Sequence, residues 1–361
     1  MTPLELSRTV LHAVRRAVDV GELRVSVPER VVVGPPGPGG CGDYATNVAL
    51  QLARPAGQPA QRVAQVLRRH LVACDGIDDV SVTGPGFLNI SLHDSEGGSG
   101  RLVAEILGAG VRYGHVRHVE PEDGRGLELH CPCDVRAVVV SDAVARLLQA
   151  QGHDDVHIRC GCPPPPEWVS LLGVRVGLFR ASGTSGASGI RPVPVPASHC
   201  AEVLGLGRDA GRWALLHPAG HDRVQVDGRH LVQRESNPLF RVRYAHARTR
   251  ALCRNAADLG FRPEPGTPAA TDTAAVRPLL TALGDHPRVL AQAAAHRAPD
   301  RLARHLVTVA DAVLPLLPAV LPLGEEKPSA AHRARLALAE AAGTVLAGGL
   351  SLLGIDAPDH L

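Results

Sequence analysis

Apolar positions recur at helical spacing from Leu4 to about Val18, with Arg15 and Arg16 left on the polar side, so the chain opens on an amphipathic helix. Val25 to Val33 reads as a strand, Gly34 to Gly42 as a Pro/Gly-rich loop, and a second helix is expected to begin near Asp43 and run through Asn47, Leu50 and Leu52. A third helix covers about Ala60 to Cys74. Ile77 to Leu92 alternates with period two and is broken by Gly84-Pro85-Gly86, the pattern of two strands around a turn. These elements make a small α+β unit.

Beyond it lie a short helix, Leu102 to Leu107, and a charged, Gly-rich stretch. Leu127 to Cys131 then reads as a buried strand, Asp134 to Gln151 as a helix and Val156 to Cys160 as a strand, the lengths that a βαβ unit needs. Pro163 to Pro166 ends that unit, and Ser182 to Gly189 is a Ser/Gly loop. From about His199 the periodicity is helical: Ala201–Leu216, Pro238–Leu259, Arg277–Leu283, Pro287–His296, Pro299–Leu314 and Ser329–Leu353. Pro238, Pro287 and Pro299 fit first-turn positions, Ser329 fits a cap and Gly354 a stop.

Composition adds restraint to this picture. Apolar residues make up 45% of 361 residues but aromatics only 2%, so the cores are built from Leu, Val and Ala. Net charge is only +2, so no global basic field announces a nucleic-acid partner. Arginine supplies nearly all positive charge, and Lys327 is the only lysine in the sequence. No secretory signal pattern is visible at the start, and the apolar run Ala312 to Leu323 is broken by prolines, so a cytoplasmic chain without a membrane partner is expected. Eight cysteines in such a chain argue for free thiols or metal rather than a disulfide framework.

The run Asn237-Pro238-Leu239-Phe240-Arg241-Val242-Arg243-Tyr244-Ala245-His246-Ala247-Arg248 resembles the opening of the DALR anticodon-binding domain of arginyl-tRNA synthetases, and Leu352-Leu353-Gly354-Ile355-Asp356-Ala357-Pro358 resembles that family's terminus. Independently, Gly42-Asp43-Tyr44-Ala45-Thr46-Asn47-Val48-Ala49 and Val82-Thr83-Gly84-Pro85-Gly86-Phe87-Leu88-Asn89 resemble motifs of the family's additional N-terminal domain, which meets the corner of tRNA. The resemblance implies a mainly helical α+β multi-domain protein. Its expected parts are a small α+β N-terminal domain (1–95), a linker (96–125), a truncated Rossmann-like α/β remnant of the catalytic domain (126–200), a connecting helical segment (201–236) and an all-α DALR helix bundle (237–361).

The middle departs from the family. Between Pro132 and the helix around Ser141 only Cys133 to Val140 intervene, with no HIGH-type His-x-Gly-His, although a helix N-terminus there could still hold an anion. The loop Ser182 to Ile190 has no lysine where a KMSKS motif would lie, and only a few residues separate Cys162 from Val174. Losing two elements that stabilise transition-state charge costs roughly 10³-fold or more. The resemblance therefore implies a synthetase-like pseudoenzyme that binds tRNA, of arginine type, without independent aminoacylation. Two alternatives stand beside it: an arginine–tRNA ligase using ATP, active alone or completed by a protein partner, and a retooled protein-interaction or zinc-sensing module.

The residues that the resemblance places toward tRNA are Tyr44, Asn47, Phe87 and Asn89 at the N-terminal end, and Arg241, Arg243, Tyr244, His246 and Arg248 on the opening DALR helix. Against this, Tyr244 and His246 equally suit helix packing, Phe87 suits a core, and Asp43 suits a helix cap. From the residues themselves, Cys131, Cys133, Cys160 and Cys162 end the two strands of a βαβ unit on one edge. Four thiolates there suit tetrahedral zinc, the alternative being unpaired buried thiols. No other cofactor is expected.

Overall fold

A computed structural model of the chain describes residues 3–34, 36, 43–92, 98–117, 126–175, 177, 179–181, 189–266 and 273–361. The chain divides into two compact units, Met1–Gly98 and Ser99–Leu361.

In the first unit, α1 (Pro3–Asp19) carries Glu5 in its first turn and Arg16 in its last, a charge order that favours the helix dipole. Four antiparallel strands follow in the spatial order β1-β2-β4-β3: β1 (Val33–Gly34), β2 (Tyr44–Thr46), β3 (Ile77–Thr83) and β4 (Phe87–Leu92). Helices α2 (Val48–Ala56) and α3 (Ala60–Val72) pack with α1 over a Leu/Val core that includes Leu6, Val14, Leu67, Leu71 and Ile90. Two expectations are corrected here. The strand Val25–Val33 shrinks to Val33–Gly34, and the helix expected at Asp43 begins only at Val48, after β2. Asp43 is not its cap: its carboxylate accepts the Leu92 amide at 2.9 Å and so fastens β2 to the end of β4. The turn between β3 and β4 needs glycine at position 86, where φ is +138° and a Cβ would lie 3.0 Å from that of Ala60.

The second unit begins with α4 (Gly98–Ala109), whose Val103 and Ile106 enter the main core, so part of the stretch expected to be a linker is load-carrying structure; residues 118–125 lie outside the described ones. The βαβ unit appears as expected: β5 (Leu127–Cys131), α5 (Val135–Ala150) and β6 (Val156–Cys160), with a short third parallel strand β7 (Phe179–Ala181) in the order β5-β6-β7. A helix not foreseen, α6 (Pro166–Leu172), follows the proline run, which supplies its N-terminal Pro. The helix expected over Ala201–Leu216 is two, α7 (Cys200–Gly205) and α8 (Gly207–Leu216), because Gly207 takes a positive φ of +74° between them.

The bundle is α9 (Pro238–Asp258), α10 (Thr273–Ala295), α11 (Pro299–Val313) and α12 (Ala330–Leu353). Pro238 and Pro299 occupy first-turn positions, and Ser329 and Gly354 cap the last helix as expected. Pro287 does not start a helix; it lies inside the continuous α10 together with Pro278. By length and composition α12 could cross a membrane, but 72% of its apolar window is buried within the protein, the behaviour of a core helix. One hydrophobic core runs from the β5–β6 sheet through α5 and α8 into α9–α12, so remnant and bundle are a single packed body.

Candidate nucleic-acid interface and the edge of the parallel sheet

Parallel α/β sheets place their chemistry at the carboxyl ends of the strands. In this chain β5 and β6 end side by side, with Cys131 in register with Cys160. The following helix α5 begins with Asp134, whose carboxylate accepts the amides of Arg136 at 3.0 Å and Ala137 at 3.1 Å. The N-terminal amides that would otherwise receive a phosphate are therefore already paired with an internal anion. The sequence signal for this was present, an Asp directly before an apolar helix, but its consequence for anion binding appears only with the geometry.

Arg136, two residues further on, is fully buried and does not face that edge. Its guanidinium donates five bonds, to the carbonyls of Leu215, Val193, Asp222, Pro218 and Ala219 at 2.7–3.1 Å. It thus organises the end of α8 and the loop behind it. Asp142, also on α5 and also fully buried, accepts from Arg212 at 2.7 Å, Arg175 at 2.8 Å and Arg146 at 3.2 Å. Burial alone would raise the Asp142 carboxyl, but the three guanidinium groups, Arg212 foremost, override it and hold it below the usual carboxylate range. Neither network was foreseen, because both join residues far apart in sequence.

The four cysteines do converge on this edge, but as two pairs. Cys133 and Cys162 form a disulfide, and Cys131 and Cys160 remain free and buried. This corrects two expectations: one disulfide is present, and a bonded pair removes two of the four thiolates that a tetrahedral zinc site needs. Among the described residues no group of three or more His, Cys, Asp or Glu has the arrangement of a metal site. Residues 182–188, the loop in the KMSKS position, lie outside the described ones.

On α9, Phe240 and Tyr244 stack with ring centres 5.5 Å apart, and Tyr244 is 39% exposed. Arg248, one turn beyond Tyr244, is exposed and has no ion pair among the described residues. Three other cations of this helix are ion-paired within the fold, Arg241 to Asp311 at 3.1 Å, Arg243 to Asp209 at 3.4 Å and Arg250 to Asp359 at 3.3 Å, and exposed Arg254 donates to the Asp359 carbonyl at 3.3 Å. Arg243 also borders a cleft of about 330 Å³ between α8 and the start of α9, which Leu231, Phe240 and Leu361 help to line. His246 does not face solvent. It is buried, meets the Gly343 carbonyl at 3.1 Å and Asp359 at 3.5 Å, and burial lowers its imidazole below the usual histidine range. His246 therefore ties α9 to α12, and the expectation that it contacts RNA is corrected.

In the first unit the expected residues divide in the same way. Tyr44 and Asn89 are buried, and the Asn89 amide donates to the Thr83 hydroxyl at 2.7 Å, so both hold the sheet rather than a ligand. Phe87 is 41% exposed and Asn47 is exposed. Asn47 has left the strand to precede α2, where its side-chain carbonyl accepts from Gln51 at 3.1 Å, and Phe87 is the first residue of β4. An exposed ring with neighbouring amide or guanidinium groups can stack on a base while bonding its edge or phosphate.

Comparison with known proteins accords with this layout. A family model described as the arginyl tRNA synthetase N terminal domain matches residues 5–92, and one described as the DALR anticodon binding domain matches residues 242–361. The arginine–tRNA ligase of Frankia alni is 26% identical over an alignment of 574 positions that spans 100% of both chains, and that of Renibacterium salmoninarum is 26% identical over 554. This chain has only 361 residues, so a large part of each alignment is a gap. Among solved structures, Thermus thermophilus arginyl-tRNA synthetase superposes with a TM-score of 0.67 at 15% identity, covering 100% of both chains. The Plasmodium falciparum enzyme gives 0.66 at 9%, covering 99% of both. The fold is that of an aminoacyl-tRNA synthetase shortened through its middle. By its two end domains and full-length relatives, the chain belongs to the arginyl-tRNA synthetase family.

Proposed function

We propose that this chain binds tRNA of the arginine type through its two end domains and does not form an arginyl adenylate by itself. One observation carries the second half. The strand edge where ATP would be handled is capped by the Asp134 carboxylate and bridged by Cys133–Cys162, and its turn, Pro132 to Arg136, holds no imidazole or ammonium group. Adenylate formation needs donors aimed at developing phosphate charge, and a carboxylate at that position opposes it. The first half is supported by the stacked Phe240–Tyr244 pair with exposed Tyr244 and Arg248 on α9, and by the exposed Phe87 and Asn47 in the first unit.

Filter binding with arginine tRNA across a salt series tests the binding. Salt-sensitive affinity near micromolar protein is expected, and its absence rejects the reading. Arginine-dependent ATP–pyrophosphate exchange tests the chemistry: exchange at an ordinary ligase rate by the purified chain would return it to the enzymes. Exchange that appears only with a second protein would identify a completing partner. No bound cofactor is required by the proposed role, and a cytoplasmic location fits it.

A further inference from the structure

The cysteine cluster at the β5–β6 edge carries chemistry that tRNA binding does not use. Cys133 is exposed and Cys162 partly so, whereas Cys131 and Cys160 are only 6% and 1% exposed. The outer pair is bonded, with Cα atoms 5.5 Å apart. The inner pair are direct register partners on adjacent parallel strands, which puts both side chains on the same face of the sheet. The Cys160 thiol also donates to the Pro132 carbonyl at 3.5 Å, and the Gly161 amide donates to the Cys131 carbonyl at 3.3 Å. It therefore sits between the two strand exits, next to the backbone of one half of the outer bond. The neighbouring Cys131 thiol, with the Gly161 and Cys162 backbone, outweighs burial and lowers the Cys160 thiol to about 6, while Cys131 is raised.

We propose that the four cysteines form a thiol–disulfide relay in which the outer disulfide, made by an external small-molecule or protein disulfide, is passed inward to the Cys131–Cys160 pair. In the first step the Cys160 thiolate attacks the Cys162 sulfur. A Cys160–Cys162 bond forms, the Cys133–Cys162 bond breaks, and its electron pair leaves on Cys133, which takes the proton released by Cys131. The Cys131 thiolate then attacks the Cys160 sulfur, forming Cys131–Cys160 and releasing Cys162 as a thiolate, which is protonated from solvent. No electrons are gained or lost within the chain: one disulfide and two thiols become two thiols and one disulfide. An external disulfide then restores the outer bond by oxidising Cys133 and Cys162, and is itself reduced to two thiols. The depth of Cys160 makes the order obligatory, because a bulky disulfide reaches Cys133 but not the inner pair.

The test uses the full chain, reduced and then exposed to oxidised glutathione. At intervals free thiols are alkylated and disulfides are mapped by peptide mass spectrometry. Cys133–Cys162 is expected first and Cys131–Cys160 after it. In Cys133→Ser and Cys162→Ser, formation of the inner bond is expected to slow at least tenfold, while the thermal transition of the reduced proteins stays that of the reduced parent. Inner-bond formation at the parent rate in both variants would overturn the relay. So would the absence of Cys133–Cys162 after oxidation, or one zinc per chain resistant to glutathione. These outcomes are independent of tRNA affinity, so this inference and the proposed function can fail separately.

Discussion

Replacing Asp142 with asparagine should be among the most damaging single changes to the second unit. The side chain is fully buried on α5 and faces three arginines, of which Arg212 is itself fully buried. Arg212 donates to the Leu353 carbonyl at 2.7 Å and the Leu172 carbonyl at 3.0 Å, so one guanidinium joins α5, the end of α6 and the end of α12. A Cβ on Gly354 would lie 2.6 Å from that guanidinium, and the +72° φ there lets the backbone turn around it. At such separations and an effective dielectric constant near 20, the gross attraction of one pair is about 5 kcal/mol. Asparagine keeps the volume but leaves the Arg212 charge buried without a counter-ion, a loss of about 3–5 kcal/mol. Urea unfolding of the parent and Asp142→Asn at pH 7 measures it, taking stability from midpoint and slope together. The double variant Asp142→Leu/Arg212→Met removes both charges and should be less destabilised than the sum of its single changes by about 2 kcal/mol or more. A loss under about 1 kcal/mol in Asp142→Asn, or strict additivity in the double variant, would refute this account of how remnant and bundle are joined.

Acid should destabilise the same unit. His286 and His305 stack in the core, burial holds His286 well below the usual histidine range and His305 at about 4, and His115, His217 and His246 are lowered too. The unfolded chain binds these protons first, so stability is complete above about pH 6.5 and declines toward pH 4, by roughly 3 kcal/mol from His305 alone. Urea midpoints at pH 7 and 4.5 check this, and His305→Phe should flatten the difference; an unchanged slope would contradict it. Gly348→Ala should cost about 1–3 kcal/mol, because its Cβ would meet the Val111 carbonyl at 2.5 Å, whereas Gly108→Ala on α4 meets nothing within 4 Å and should stabilise by up to about 1 kcal/mol. Thermal melts of the two variants must move in opposite directions. Tyr244→Ala should weaken tRNA binding by about 1–3 kcal/mol, and Arg248→Ala should lower the salt slope by about one phosphate; intact affinity in both would remove the α9 face from the interface.

Much of the fold is legible along the chain because its signals are local. Pro238 in a first turn, the Ser329 cap and the Gly354 stop each act within one helical turn, and the structure places all of them as read. Local signals also misled. Gly207 divides one expected helix, while Pro278 and Pro287 fail to divide α10, whose packing against α11 and α12 outweighs the bonds those prolines remove. The site residues show the same limit. Tyr44, Asn47, Phe87 and Asn89 come from one pair of motifs, yet packing buries Tyr44 and Asn89 within the sheet and leaves Phe87, at the start of β4, and Asn47, just before α2, outside.

By itself the amino-acid order determined most of the helices, the Ser329 cap and Gly354 stop, the βαβ unit and the two recognisable ends, since each is a property of residues near one another in the chain. Which cations remain free, which rings reach solvent and which cysteines bond were decided only when distant segments met. Arg243 is committed to Asp209, Arg212 to Asp142 and Cys133 to Cys162 by the packing of separate elements, and burial and charge pairing are properties of that packing rather than of any local run.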